Sequence, residues 1–209
     1  LALFLWSGAF GYSSRIPEKE SVKSVSVAFG QFSVEFDDPS LVIDLHKKIT
    51  EQSGGDGYGE INISYKLKFG ALKRTYFVDY NDFSGEFLKI IKSEENIKSI
   101  RNSFDKFIGN NLSISLYDQE YWSDSVQITA SELKGLEEAY VSDIPSATDE
   151  LLSGNLYMSC DITGLDKEYD YCYYELHIED NFKNTIEYLE SLDLEQRVDA
   201  GSTETYAED

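Results

Sequence analysis

His46 and His177 are the chain's two histidines and Cys160 and Cys172 its two cysteines, so acid–base or thiol chemistry would have to run through these four positions. A nucleophile relay needs a base beside a Ser, Cys or carboxylate, and neither histidine lies at a spacing that marks one. His46 falls on a helical stretch, one step from its apolar stripe. His177 falls on the outward phase of a strand, together with Tyr171, Tyr173 and Glu175. Two Cys and two His are a thin supply for a structural zinc site, which wants four such ligands, so no metal and no cofactor are expected. The motifs G-x-S-x-G, H-E-x-x-H and C-x-x-C do not occur.

Two loops imitate ligand motifs. Ser53–Gly59 is glycine-rich, but it lacks the Lys-Ser/Thr that grips a phosphate, and it joins a helix to a strand where a phosphate loop does the reverse. Asp79–Glu86 has the acidic look of a calcium loop, yet Phe83 stands at the fifth ligand position and Ile90 replaces the closing bidentate Glu. With 39 Asp and Glu residues, some pair falls at any chosen spacing, so a glycosidase dyad cannot be argued. No catalytic residue is assigned, and the chain is read as a non-enzyme. The Tyr169–Tyr174 cluster could be a platform on which a sugar or peptide stacks, or it could divide between the core and the second face of a sheet. Tyr171, Tyr173 and His177 are the candidate ligand-binding residues. Cys160 and Cys172 flank a turn near Gly164 to Asp166. A turn centred at Asp166 sets them opposite each other, where a disulfide could form and add roughly 3 kcal/mol; two buried thiols are the alternative.

The elements that would position these residues follow from periodicity. Val25, Val27 and Phe29, then Phe32, Val34 and Phe36, alternate with polar residues and predict a hairpin turning at Gly30. Asp38 with Pro39 predicts a capped helix start, and Leu41, Leu45 and Ile49 its apolar stripe. Ile61 to Leu67 and Tyr76 to Tyr80 form a second hairpin, turning near Gly70. Asn81 or Asp82 caps a helix with Phe87, Leu88 and Ile91, and Ser93 starts a further helix through Phe104. Leu112, Ile114 and Leu116, then Val126 and Ile128, begin the same order again. Thr129-Ala-Ser-Glu132 reads as a capping box, with Leu133, Leu136 and Tyr140 behind it and Pro145 as a stop. Leu156, Met158, Cys160 and Ile162 align with Ile61, Ile63, Tyr65 and Leu67 at a constant offset of 95. Tyr174, Leu176 and Ile178 match Tyr76, Val78 and Tyr80, and a last helix carries Phe182, Ile186 and Leu189. The expected fold is α+β, with two similar β-β-α-β-β-α halves whose antiparallel sheets carry helices on one face. The halves span 21–110 and 111–193, and 194–209 reads as an acidic disordered tail.

The formal net charge of −21 repels phosphates, so no nucleic-acid partner is expected. That charge either serves solubility alone or marks an extracellular surface that meets cations, basic peptides or the cell wall. Leu1 to Trp6 is apolar, far short of the ~20 residues that span a bilayer, and lacks a basic leader. Residues 1–20 are read as the end of a membrane helix with a juxtamembrane segment, Trp6 and Tyr12 being interfacial aromatics; a first core element of a soluble domain is the alternative.

The strings Gly11-Tyr-Ser-Ser-Arg-Ile-Pro17 and Val22-Lys-Ser-Val-Ser-Val27 resemble the junction between the last membrane helix and the extracytoplasmic C-terminal domain in Firmicutes ABC-2-type transporter permeases. The similarity continues through Ile43-Asp-Leu-His-Lys-Lys-Ile49, Ile61-Asn-Ile-Ser-Tyr-Lys-Leu67 and Ile90-Ile-Lys-Ser-Glu-Glu95. The resemblance covers roughly residues 11 to 110 and is looser beyond. It implies a multi-spanning permease preceding residue 1, a separate ATP-binding subunit as partner, and a place on the outer side of the cell membrane. It carries over no catalytic residue and leaves the substrate blank. The expected function is a non-catalytic outer domain that contributes substrate or partner contacts. A stand-alone secreted or surface-anchored module that binds peptide or cell-wall glycan is the alternative.

Overall fold

The computed structural model describes residues 16–29, 32–53, 61–68, 73–78, 87–107, 111–118, 121–122, 124–148, 150–153, 156–165, 168, 171–194 and 196–197. In the first unit the alternating runs become strands β1 (Val22–Phe29), β2 (Phe32–Phe36), β3 (Ile61–Leu67) and β4 (Lys73–Val78), all antiparallel in the order β2-β1-β3-β4. Val22 pairs with Leu67 and Ser24 with Lys66, so one extra residue of β1 bulges out there. That bulge lets Val22 and Val25 both turn to the core although they stand three positions apart. Helix α1 (Ser40–Ser53) starts as expected: the Ser40 amide donates to Asp38 Oδ1 at 3.0 Å and Ile43 N to Pro39 O at 2.9 Å. Its buried stripe is Val42, Leu45, His46 and Ile49, with Ile43 beside it, one step round from the Leu41 stripe read from sequence. Full burial of such aliphatic side chains contributes roughly 1.5–3 kcal/mol each.

Residues 87–91 are helical and bury Phe87, Ile90 and Ile91. Helix α2 (Glu94–Phe104) follows, capped by Ser93, whose Oγ accepts from Asn96 N at 3.2 Å. The chain divides into two compact units between Asn96 and Ile97, inside α2, where the sequence pattern closes its first half at residue 110. The reason lies in the helix's later residues. Phe104 meets the ring of Tyr174 edge-on at 5.7 Å, and Arg101 pairs with Glu137, so α2 belongs with the second sheet.

The second unit repeats the plan. Strand β5 (Leu112–Asp118) pairs on one side with β6 (Tyr121–Trp122) and β7 (Val126–Ile128), and on the other with β8 (Met158–Gly164), which pairs with β9 (Cys172–Ile178). Leu112 faces Ile128 and Tyr117 faces Trp122, so β6 and β7 form one edge interrupted by a single extra residue. With that edge counted once, the strand order is that of the first sheet. Helix α3 (Ala130–Asp143) opens on the expected capping box, both reciprocal bonds between Thr129 and Glu132 being present. It passes at Pro145 into a short 3-10 turn, then to helix α4 (Glu150–Ser153) and, after the β8–β9 hairpin, to α5 (Lys183–Ser191). Asp143, buried at the end of α3, accepts the Thr185 amide at 2.7 Å and caps the first turn of α5. The α+β duplication is therefore present, but its register differs from the constant offset. The ladders place Ile61 and Ile63 with Cys160 and Ile162, four residues further along than the expected match.

The structure changes two further expectations. The β8–β9 ladder sets Cys160 opposite Leu176 and Cys172 opposite Gly164, so the cysteines stand four residues apart along the hairpin. That is about 13 Å, close to twice the Cα separation a disulfide tolerates, and the two are not bridged. The disordered tail expected over 194–209 does not hold at its described residues. Leu194 is buried, and Arg197 donates to Glu132 Oε1 at 2.6 Å, which ties this segment back to the capping box of α3. Residues 1–15 of the membrane-helix and juxtamembrane segment read over 1–20, the glycine-rich loop beyond Ser53, the acidic loop over 79–86 and the turns at Gly30 and Gly70 lie outside the described residues.

Candidate functional site

His46 illustrates what burial does to a candidate catalytic group. It is 1% exposed, and its Nδ1 shares a 2.9 Å hydrogen bond with the Tyr65 hydroxyl. The rings of Tyr65 and Tyr76 lie 5.9 and 4.8 Å away, the first parallel and the second edge-on. Burial lowers the imidazole pKa to about 4 and raises that of the Tyr65 phenol, so both are neutral near pH 7. A neutral, enclosed His–Tyr pair is core packing with its polar atoms satisfied.

His177 lies in a different setting. Strand alternation sends Tyr174, Leu176 and Ile178 of β9 to the core, so Tyr173, Glu175 and His177 face outward, with Tyr171 just before them. The structure thus brings Tyr171, Tyr173 and His177 to one face. Tyr171 is 62% exposed, Tyr173 45% and the neighbouring Tyr157 38%. A groove of about 450 Å³ opens at the His177 end, between Tyr117, Tyr157, Ser159, Glu175 and His177. His177 Nε2 lies 3.8 Å from Glu175 Oε1, and its buried Nδ1 has no hydrogen-bond partner among the described residues. Its carbonyl accepts from the Tyr140 hydroxyl of α3 at 3.2 Å, which fixes the strand to the helix beneath.

The groove continues into an unusual cross-strand pair. Asp161 of β8 stands directly opposite Glu175 of β9, on the outer face. Like charges at opposed positions destabilise a sheet, because Cβ atoms there are only about 5 Å apart. Part of that field is met by Tyr173, whose hydroxyl donates to Asp161 Oδ1 at 2.9 Å. The phenol's pKa is raised, first by burial and then by this bond and the two carboxylates. None of the described outward residues of β5, β8 and β9 is Lys or Arg.

Glu175 was visible from its phase in the sequence, but Asp161 was not. A turn centred at Asp166 puts Asp161 beside Tyr171, and only the true register exposes the opposed carboxylates. Tyr117 and Tyr157 carry no signal of their own, because their place depends on which strand lies next to which. Among the described residues no three His, Cys, Asp or Glu side chains gather to hold a metal ion, and no helix is long and apolar enough to cross a membrane. Comparison with protein-family models, with curated proteins and with solved structures finds no match for this chain.

Proposed function

We propose that this chain is the outer, extracytoplasmic domain of an ABC-type permease and that it works by binding, through the outer face of its second sheet. The observation that carries the binding face is the contrast between two sheets of one topology. On the first, the position equivalent to Glu175 is Phe77 and that of Asp161 is Asn62; on the second, Tyr171 and Tyr173 on one side, and Tyr157 with a groove on the other, flank two opposed carboxylates. Aromatic side chains held in an exposed row offer contact area at little entropic cost, which is how binding surfaces are commonly built. The attachment to a permease and an ATP-binding subunit is supported by the resemblance of the Gly11–Pro17, Val22–Val27 and Ile43–Ile49 strings.

The test has two arms. The full-length protein in its own cells should fractionate with membranes and be cleaved by protease added outside; recovery in the cytosol overturns the location. The double variant Tyr171→Ala/Tyr173→Ala should fold normally and lose transport function. Full function in that variant overturns the choice of face.

A further inference from the structure

Resting on the reading of the second sheet as the binding face, we infer that its ligand is an extended basic peptide, with Lys or Arg side chains seated over Glu175 and Asp161. Three features point to this class. The opposed Asp161 and Glu175 hold two negative charges where a sheet ordinarily avoids them, and an ammonium or guanidinium placed between them removes the repulsion. The flanking tyrosines present phenol rings that a cation can cover, and Tyr173 is already anchored to Asp161. The outward residues Tyr171, Tyr173, Glu175 and His177 recur at every second position of the strand, over about 20 Å. An extended peptide presents its own side chains at the same two-residue repeat of roughly 7 Å, so successive side chains meet successive sites. The groove of about 450 Å³ at the His177 end has room for one long side chain with its backbone.

Charge alone would also draw a basic peptide to a chain of net charge −21, so the test must separate the site from the background. The probe is a fluorescein-labelled (Arg-Ser)4 peptide, titrated by anisotropy against the whole chain at about 0.15 M salt, where distant charges are screened. A (Glu-Ser)4 peptide and tetra-N-acetylglucosamine serve as alternative ligands. The (Arg-Ser)4 peptide should bind, and Glu175→Gln, Asp161→Asn and Tyr171→Ala should each weaken it by at least about tenfold. Glu138→Gln, which removes one exposed charge from α3, and Phe77→Ala on the first sheet should leave it unchanged. Equal loss in Glu138→Gln and Glu175→Gln would mean bulk attraction and overturn the inference. Binding of the sugar that depends on Tyr171 while (Arg-Ser)4 fails would keep the face and overturn the ligand class. Failure of (Arg-Ser)4 with every other probe silent also overturns the basic-peptide assignment, while the transport phenotype of Tyr171→Ala/Tyr173→Ala judges the face separately.

Discussion

His46 of α1 and Glu137 of α3 hold matching places in the buried stripes of their helices, each almost fully buried at 1% and 2% exposure. Around them Val42, Leu45 and Ile49 match Leu133, Leu136 and Tyr140. The two units answer the same problem, a polar group on the sheet-facing side of a helix, by different physics. In the first, the group is kept neutral and enclosed by Tyr65 and Tyr76. In the second it is a carboxylate, met by Arg101 Nη1 at 2.6 Å and by Lys134 Nζ at 2.8 and 2.9 Å, both cations half in solvent. A second exchange accompanies the first. Tyr65 fills the strand position that Gly164 occupies in the other sheet, where Leu112 and Phe107 supply the missing volume. The two units therefore share backbone plan, capped helices and filled space, while the group that fills or neutralises a site differs between them.

Replacing Tyr65 by Gly gives the first unit the backbone of the second without its compensating side chains, and the largest loss is expected there. The change empties a fully buried aromatic volume, removes the hydroxyl partner of His46 and loosens a central strand. A cost of about 4–5 kcal/mol follows from cavity formation with a glycine penalty. Urea denaturation followed by circular dichroism would measure it. A loss below about 1 kcal/mol would mean the site collapses without a cavity and that Tyr65 and Gly164 are interchangeable.

Acid should separate the two units next. Burial lowers the His46 pKa to about 4 from an ordinary 6.5, so between these values the unfolded chain takes up a proton that the folded unit refuses. Stability of the first unit is then full above pH 6.5 and falls as pH drops toward 4, by about 3 kcal/mol at roughly 1.4 kcal/mol per unit. The strongly lowered carboxylates act in another window. Asp38 is held near 2 first by the Ser40 hydroxyl and Glu132 near 2 first by Arg197, so their contributions disappear only below about pH 4. Amide exchange of β3 should thus accelerate between pH 6.5 and 4, after correction for intrinsic rates, while that of β8 should not. His46→Phe should flatten the β3 profile; an unchanged slope in that variant assigns the effect to other groups.

How much of this was legible depends on the range of the interaction. The alternation of Val25, Val27, Val34 and Phe36, and the Thr129–Glu132 capping box, are local patterns, and strands and cap lie where those patterns put them. Register is not local. The β8–β9 hairpin turns two residues later than glycine and charge suggest, and that shift separates Cys160 from Cys172 and sets Asp161 against Glu175. The burial of His46 escaped for a similar reason, because a stripe drawn from Leu41 places the imidazole at its margin. Helix α2 reads as an ending of the first half, and only the meeting of Phe104 with Tyr174 assigns it to the second. The candidate face was half visible: strand phase gathered Tyr171, Tyr173 and His177, whereas Asp161, Tyr117 and Tyr157 needed the neighbouring strands.

The reciprocal of the Tyr65 change is milder. A Cβ at Gly164 would lie 2.6 Å from Leu112 Cδ2 and 3.1 Å from Phe107 Cδ1, the groups that fill the tyrosine's place. Gly164→Val should cost about 2 kcal/mol through overpacking. Pairing it with Leu112→Ala should recover part of the loss, since the smaller residue vacates the space. A double variant no better than the sum of the single ones would show that the two positions do not share one volume.

The smallest effect tests the charged solution to the same problem. Arg101→Ala removes one of the two cations that face Glu137, but Lys134 still donates to both carboxylate oxygens. Because the arginine side chain is nearly half exposed, its screened contribution should be no more than about 1 kcal/mol. Lys134→Ala should be equally mild, with Arg101 left in place. The double variant strands a buried carboxylate, and its cost should exceed the sum of the two single costs. Strict additivity in that cycle would mean that water already solvates Glu137 in the folded unit, and the contrast with the enclosed His46 would then be one of degree.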